Sequence, residues 1–368
     1  MIHQVILKIA SRCNLNCSYC YLYNHQDSSW KEQPKFITDH VFDRTLEVIR
    51  DYCRRRTAHQ VALVFHGGEP TLVGPGRLAS LSARAKLVLG RSLASITLQT
   101  NGTRLNEEMV DVIARAGISV GFSLDGPAHI HDATRVTHAN LGSYSNAILG
   151  LERLRHAGIE PAVLCVVNPY VSGEEIYRHF RDIGLRNITF LLPDVSHDHK
   201  LSWYSSASST PVADYLTPVF DSWFRDDDPD VVVRPFTDLI ASMMGGNGEG
   251  DIFGNPLQTY VMVETDGSIE ALDTLRVCYS GITKTKLNVV EHTFDNIQEL
   301  NPMLHRMINV GFPLCVKCEQ CHERAICGGG YLPHRYSRAR EFDNPSVWCE
   351  DIKSLLQHMR SAIGLMAT

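Results

Sequence analysis

The sequence has no apolar run long enough to cross a bilayer, and its first residues lack the basic start and apolar centre of a secretory signal. Basic residues are not in excess either, since 35 Lys and Arg against 41 Asp and Glu give a net charge of −6. A nucleic-acid surface needs a basic face. Neither a membrane nor nucleic acid is therefore an expected partner.

Cysteine, by contrast, is plentiful, with 11 residues in the chain. A chain without an export signal is expected in the cytoplasm, where disulfides are rare, and cysteines at ligand spacing there indicate metal sites. Cys53 and Cys165 stand alone and are predicted to be small buried hydrophobes. The other nine lie near the start of the chain and in its last quarter.

The first half of the chain alternates predicted strands and helices. Six such units imply a parallel sheet covered by helices. Six are too few for a closed eightfold barrel, which favours a partial (β/α)6 barrel of the α/β class; a flat doubly wound sheet is the alternative. The predicted strands cover residues 4–10, 61–65, 95–99, 118–124, 161–167 and 187–192.

The second half is less regular. The polar stretch 193–210 is long for a connection and predicts either a lid over the site or a plain surface loop. Residues 245–256 are Gly-rich and indicate a linker. A hairpin is predicted from 258 to 272, around Asp266-Gly267, and a closing helix from 346 to 363.

The loop after the first strand carries Cys13, Cys17 and Cys20 in a C-x3-C-x2-C run. Three thiolates this close can hold three irons of a [4Fe–4S] cube, which leaves the fourth iron open for a substrate or cofactor. A zinc site is the alternative, with His25 as the nearest fourth ligand.

This run resembles the first motif of the radical SAM superfamily. The resemblance implies a barrel that binds S-adenosylmethionine at the open iron of a [4Fe–4S] cluster. It also implies reductive cleavage to a radical that abstracts a substrate hydrogen, and a reducing partner such as flavodoxin or ferredoxin. The cofactor carries that chemistry, while the protein binds, orients and excludes water.

Two further loops resemble motifs of the same family. Residues 66–70 are similar to its GGEP motif, which implies cofactor-binding roles for Gly67, Gly68 and Glu69, with Gly68 at the methionine amino group. Asn101 lies in a segment similar to another strand-end loop of the family.

A fourth segment is similar to the family's S-x-D-G…R pattern and contains Ser123, Asp125 and Arg135. By this resemblance Ser123 and Arg135 hold the methionine carboxylate, a role that suits the guanidinium fork. Tyr19 matches the aromatic residue that lies against adenine. The resemblance covers about residues 1–200.

Four thiols in the last quarter resemble the SPASM extension, whose second auxiliary [4Fe–4S] cluster uses a C-x2-C-x5-C run and a later Cys. They are Cys318, Cys321, Cys327 and Cys349. Four protein ligands leave no open iron, so this cluster is expected to carry electrons; a structural zinc ribbon is the alternative. The implied domains are a radical SAM barrel at 1–232 and a SPASM-like, twitch-like domain at 233–368.

The first auxiliary cluster of that extension departs from the pattern. Leu272 and Tyr331 stand where two cysteines are expected. Cys278 fits the next expected ligand, and Cys315 is an additional thiol. This cluster is therefore incomplete, absent, or bound through Cys278 and Cys315.

SPASM enzymes modify peptides or proteins, and the chain resembles the cyclophane-forming (FxS-type) maturases through residues 11–17, 327–330, 334–336 and 342–347. The resemblance implies a ribosomally made precursor peptide as partner. It also implies a carbon–carbon crosslink between an aromatic ring and a side-chain β-carbon.

Two alternatives remain open. The first is an anaerobic sulfatase-maturating enzyme, which makes formylglycine and uses an Asp base that the sequence does not identify here. The second is a non-enzymatic iron–sulfur electron carrier, which has no need of S-adenosylmethionine loops. Candidates for a general base are Asp194, His197 and His199, on placement after a strand alone.

Overall fold

The computed structural model describes residues 1–199, 208–246 and 257–365. The middle of the predicted 193–210 loop and most of the predicted 245–256 linker lie outside these residues. Within them, none of the helices combines the length and apolarity needed to cross a membrane.

All six predicted strands of the first half are present, with ends that differ from the predicted ones by at most two residues. The strands are β1 (Gln4–Ala10), β2 (Val61–Gly67), β3 (Leu93–Thr100), β4 (Ser119–Ser123), β5 (Ala162–Val166), β6 (Asn187–Leu191), β7 (Val232–Val233), β8 (Tyr260–Val263), β9 (Ser268–Glu270) and β10 (Lys284–Asn288).

Helices follow the strands in the first half and become short near the C-terminal thiols. They are α1 (Asp39–Arg54), α2 (Pro75–Leu89), α3 (Glu107–Ala116), α4 (Ala128–Thr134), α5 (Tyr144–His156), α6 (Gly173–Asp182), α7 (Pro211–Asp226), α8 (Arg234–Met243), α9 (Ile297–Leu300), α10 (Pro302–Asn309), α11 (Val316–Glu319), α12 (Arg324–Cys327) and α13 (Cys349–Ala362). Capping residues begin two of these helices: the side chains of Thr38 and Asn106 accept hydrogen bonds from backbone amides at the starts of α1 and α3.

The chain forms two compact units. The first contains Met1–Leu124, His131–Pro161 and Leu257–Gly311. Its sheet runs β10-β9-β8-β1-β2-β3-β4, and β1 to β4 are parallel. The predicted hairpin is confirmed as the antiparallel pair β8–β9. Its first strand also pairs in parallel with β1, Gln4 opposite Tyr260, which joins the hairpin to the sheet that carries the first thiol loop.

The second unit contains Asp125–Ile130, Ala162–Pro256 and Phe312–Thr368. Its strands run β5-β6-β7, all parallel, and α7 packs on both α6 and α13. The closing helix α13 begins at Cys349, later than predicted, because Ser346 accepts the amides of Trp348 and Cys349 in a turn.

The two compact units do not follow the predicted boundary between residues 232 and 233. The hairpin strands β8 to β10 belong to the first unit, whereas β5 to β7 lie in the second with the C-terminal thiols. The predicted boundary separates a radical SAM barrel from a cluster-binding domain by function. That functional division stays a prediction.

Helix α5 packs tightly on the loop after β3, and this contact generates a stability prediction. A Cβ on Gly150 would lie 2.2 Å from the carbonyl oxygen of Gly102, whereas a Cβ on Gly76, in α2, would meet nothing within 4 Å. A helical Gly-to-Ala change otherwise stabilises by about 1 kcal/mol. We expect Gly150→Ala to lower the midpoint of thermal unfolding and Gly76→Ala to raise it. Equal shifts in the two variants would contradict this packing.

Candidate active site and thiol clusters

The loop after β1 brings its three thiols next to the segment that contains Arg135. The amide of Asn16 donates to the carbonyl of Val136 at 2.7 Å, and that of Ser18 donates to the carbonyl of Thr134 at 3.0 Å. Residues far apart in sequence are thereby fixed to one another by backbone bonds. Cys13, Cys17 and Cys20 are all half-buried on this loop.

Burial and nearby negative groups make these thiols hard to ionise. Burial, followed by Glu69, raises the pKa of Cys13 to about 12. Burial, followed by Cys17, raises the pKa of Cys20 to about 11. Three crowded thiols of this kind become thiolates when they coordinate a metal, whose charge removes the proton.

Two glycines at the end of β2 let the backbone pass directly beside the thiol loop. A Cβ on Gly67 would lie 1.9 Å from the carbonyl oxygen of Ala10, and Gly67 has a φ of 138°. A Cβ on Gly68 would lie 2.4 Å from the carbonyl oxygen of Arg12 and 2.0 Å from Tyr23 Oη. Side chains are therefore excluded where the sequence predicts a contact with the cofactor.

Glu69 is buried and holds two strand-end loops together. It accepts hydrogen bonds from the Thr71 amide at 3.0 Å, from Thr100 Oγ1 at 2.7 Å and from the Asn101 amide at 2.8 Å. Asn101 Nδ2 in turn points at Cys13 Sγ, 3.8 Å away, and donates to Asn14 Oδ1 at 3.1 Å. The predicted residues Glu69 and Asn101 thus support the first thiol.

The predicted carboxylate and adenine residues also lie in the first unit. Arg135 Nη1 donates to Tyr19 Oη at 2.6 Å, and the charge of Arg135 acts on Cys20. Ser123 Oγ accepts from Gln99 Nε2 at 3.0 Å at the end of β4. Tyr19, Arg135 and the third thiol are therefore neighbours.

A buried network of charges lies in the same unit. Lys8 Nζ contacts Glu264 Oε1 at 2.6 Å and Asp273 Oδ2 at 3.4 Å. Arg276 contacts Glu264 Oε1 at 2.9 Å and also pairs with Glu270. Every member is almost fully buried, and these ion pairs connect the hairpin to β1. Loss of one partner would leave a buried charge unpaired, which is strongly destabilising.

Asp273 is the functional candidate that sequence reasoning missed. Its carboxylate, 5 % exposed, accepts a hydrogen bond of 3.0 Å from Tyr21 Oη, one residue after the third thiol. Burial would raise the pKa of Asp273, but Lys8, His66 and Arg276 outweigh it and hold the pKa below its ordinary value. The sequence signal that could have identified Asp273 is its position directly after Leu272, where the resemblance leads one to expect a cysteine.

His66 lies close to this carboxylate. Its side chain is half-buried, and its buried Nδ1 has no hydrogen-bond partner among the residues described by the structure. Burial lowers the pKa of His66, while Asp273 opposes that shift. An imidazole with one unsatisfied nitrogen therefore adjoins an ionised carboxylate.

The four C-terminal thiols line one pocket in the second unit. Cys318, Cys321, Cys327 and Cys349 share it with Lys317 and Lys353. Burial raises the pKa of Cys327 to about 11, and the thiols of Cys349 and Cys321 add to that effect. The predicted set is thus brought together in space.

The remaining thiols do not complete a first auxiliary set of four. Cys315 is buried with its thiol within hydrogen-bonding reach of Cys318, so it lies beside the second cluster's thiols. Cys278 is buried in the first unit. Leu272 is a buried hydrocarbon side chain, and Tyr331 packs edge-on against His334.

Four other predicted residues, Asp125, Asp194, His197 and His199, lie in the second unit. Asp125 accepts from the Val166 amide at 3.2 Å. His197 Nε2 contacts the Pro345 carbonyl at 2.8 Å, and its amide donates to the Tyr336 carbonyl. His197 therefore fastens its loop to the C-terminal segment, and a role as general base stays a prediction for it, Asp194 and His199.

The donor sets fit iron–sulfur clusters. Across residues 1–199, 208–246 and 257–365, no three His, Cys, Asp or Glu side chains are arranged to share one metal ion. A cube binds each thiolate at a different iron, so its ligands surround a space instead of a point. Beside the front thiols, Gly68 packs its backbone against Arg12 and Tyr23 with no room for a side chain.

Comparison with known families agrees with this geometry. Residues 7–183 match the profile described as the Radical SAM superfamily. This part of the chain is therefore a radical SAM domain within a mixed α/β fold, which implies a [4Fe–4S] cluster and S-adenosylmethionine.

The most similar curated relatives include sulfatase-maturating enzymes of both substrate types. A cysteine-type enzyme of Clostridium novyi is 26 % identical over 99 % of this chain and 96 % of its own length. A serine-type enzyme of Bacteroides thetaiotaomicron is 25 % identical over 99 % and 91 %. A solved structure, native anSMEcpe with bound AdoMet and Cp18Cys peptide, superposes with a TM-score of 0.84 at 23 % identity, covering 99 % and 98 % of the two chains.

The front thiols generate the first functional prediction. Replacing Cys13, Cys17 and Cys20 together by Ala should remove about four irons and abolish 5′-deoxyadenosine formation from S-adenosylmethionine. Iron analysis and chromatography of the anaerobic reaction measure both. Cys53→Ala, at a buried thiol outside both sets, is the control and should retain both properties. Undiminished cofactor cleavage in the triple variant would end this assignment.

Proposed function

We propose that this chain oxidises a side chain of a peptide or protein substrate by two electrons, starting at its β-carbon. The observation that carries the proposal is Asp273, a buried carboxylate that accepts from Tyr21 one residue after the front thiols. The full-length similarity to enzymes that act on cysteine and serine supports formylglycine as the first candidate product.

The first unit supplies the groups that such a reaction needs. Cys13, Cys17 and Cys20 hold the cluster, Gly68 admits the methionine moiety, and Arg135 binds its carboxylate. When bound, the cluster and S-adenosylmethionine supply a carbon radical that takes one hydrogen atom from the substrate.

Asp273 then accepts the proton that the substrate radical must lose. Lys8 at 3.4 Å keeps the carboxylate ionised and thus ready to accept. Tyr21 fixes its orientation through the 3.0 Å hydrogen bond. His66 Nδ1, unsatisfied among the described residues, is available to bind a polar group of the substrate.

The substrate radical must also lose one electron, and the C-terminal thiols provide a place for it. We propose that Cys318, Cys321, Cys327 and Cys349 hold an auxiliary [4Fe–4S] cluster, with zinc as the competing metal. With four thiolates it has no open iron and is suited to electron transfer. A flavodoxin or ferredoxin as reductant, and a cytoplasmic location, belong to the same proposal.

A carbon–carbon crosslink in a ribosomal precursor peptide is the second candidate. Leu272, a buried hydrocarbon, and Tyr331 replace two thiols of the first auxiliary cluster, which the resemblance implies for sulfatase maturases. In this case the β-carbon radical attacks an aromatic ring before the electron and proton leave. An electron carrier without enzyme activity has no need of loops that resemble S-adenosylmethionine-binding motifs.

Asp273 generates a prediction that separates proton transfer from radical formation. Asp273→Asn should lower product formation by about 100-fold or more, the usual contribution of a general base, while 5′-deoxyadenosine still forms. The matched control is Asp295→Asn, at a partly exposed carboxylate that pairs with Arg55 and Arg56. Product formation at the wild-type rate in Asp273→Asn would exclude Asp273 as the base.

The product distinguishes the two candidates. Peptides with a sulfatase-type Cys or Ser, and peptides with an aromatic residue near an aliphatic one, are each deuterated at the β-carbon and incubated with S-adenosylmethionine and reductant. Deuterium in 5′-deoxyadenosine tests the shared step. Formylglycine then reacts with an aminooxy probe, whereas a crosslink loses two hydrogens, resists the probe and lacks fragment ions between the linked residues. Cofactor cleavage without deuterium transfer from any peptide contradicts both candidates.

A further inference from the structure

Arg335 is a buried cation held only by neutral groups. Its side chain is 4 % exposed. The guanidinium donates to three backbone carbonyls, those of Pro313, Phe342 (2.9 Å) and Asn344 (3.4 Å). These bonds engage Nε and Nη2 but bring no negative charge to the guanidinium.

No carboxylate pairs with Arg335 in the part of the chain that the structure describes. The nearest acidic influence is Asp343, which is engaged elsewhere through a 2.9 Å ion pair with Arg340. A buried charge without an opposite charge costs several kcal/mol, roughly, even after relaxation. The fold therefore requires a negative group near Arg335.

The C-terminal thiols can supply that group, because they become thiolates when they coordinate a metal. Burial lowers the pKa of Arg335, and the charges that oppose this shift are, in order, those of Cys318, Cys315, Asp343 and Cys327. A Cβ on Gly329, which lines the thiol pocket, would lie 3.8 Å from Arg335 Nη1. Arg335 thus lies against the wall of the pocket.

We propose that Arg335 is the counter-charge of the auxiliary cluster and raises its reduction potential, so that the cluster can accept the electron from the substrate radical. The inference rests on the proposed function, which places a cluster in this pocket. A cube with four thiolates is negative and becomes more negative on reduction, so a fixed buried cation favours the reduced form. One electron passes from the substrate radical to the oxidised cluster, and one proton passes to Asp273.

This role also accounts for two segments that the sequence analysis singled out, 334–336 and 342–347. The second segment supplies the carbonyls of Phe342 and Asn344 to Arg335, and Asn344 Nδ2 returns a 2.9 Å bond to the Arg335 carbonyl. The two segments therefore form one cradle for the guanidinium.

The test measures the reduction potential, not turnover. In the variant with Cys13, Cys17 and Cys20 replaced by Ala, only the auxiliary cluster remains, and its reduction is followed by electron paramagnetic resonance in a redox titration. We expect Arg335→Gln to lower the ratio of reduced to oxidised cluster at a fixed potential at least tenfold, which is about 59 mV for one electron. Arg335→Lys should restore most of the loss because it keeps the charge.

The matched control is Arg340→Gln, at an arginine that lies between the segments 334–336 and 342–347. Arg340 is 57 % exposed and already paired with Asp343, so water and the carboxylate screen its charge. Its replacement should change the ratio less than about twofold.

The outcomes distinguish failure of the inference about Arg335 from failure of the proposed function on which it rests. If the triple-Ala protein holds zinc or no iron, the proposed auxiliary cluster is wrong. If the cluster is present and Arg335→Gln titrates like the parent, the inference about Arg335 is wrong. Should Arg335→Gln fail to retain the cluster, Arg335→Lys decides: a tenfold loss despite the retained charge would overturn the electrostatic role.

Discussion

The first unit depends on ion pairs between β1 and a segment that follows more than 250 residues later. Lys8 reaches both Glu264 and Asp273, and Arg276 closes the network from the other side. In a buried setting such charges are tolerated only together, because each one left alone is costly. The parallel register of β1 with β8 follows from the same contacts and brings the hairpin to the thiol loop.

The ion pairs between β1 and the later segment determine which residues meet at the candidate site. Strand β1 ends at Ala10 and the thiol loop begins at Ser11, and Tyr21 extends from the end of that loop to Asp273. On the other side, the glycines after β2 bring backbone against the loop, and Glu69 fixes Asn101 beside Cys13. Radical formation and proton acceptance are therefore both assigned to residues of one compact unit.

In the second unit, the charges to be balanced are those of the C-terminal thiols and of Arg335. Four thiols that line one pocket become strongly negative when they bind iron, and Arg335 is buried without a carboxylate. Each is unfavourable alone, and each compensates the other when a cluster is bound. Under the proposal, a cation that pairs with no carboxylate among the described residues connects the C-terminal sequence motifs to electron transfer.

Local signals in the sequence were sufficient to predict the strands and helices and to identify the loops that resemble cofactor-binding motifs. Caps such as Thr38 and Asn106, strand periodicity, and the spacing of Cys13, Cys17 and Cys20 each depend on residues a few positions apart, so no tertiary contact is needed to interpret them. The resemblance built on those motifs led to the radical SAM domain that the comparisons show. Among the product classes, however, the relatives favour the reading that the sequence analysis ranked second.

Only the tertiary structure revealed Asp273 as a candidate base, Arg335 as a buried cation and Cys315 as a neighbour of Cys318. Apart from its position directly after Leu272, nothing near Asp273 in sequence distinguishes it from other acidic residues; Lys8 and Tyr21 do so, and they reach it through the parallel pairing of β1 with β8. Charge compensation and hydrogen bonding act over ångströms in space, whatever the separation along the chain. The sequence therefore determined which loops carry chemistry, and the fold decided which side chains meet there.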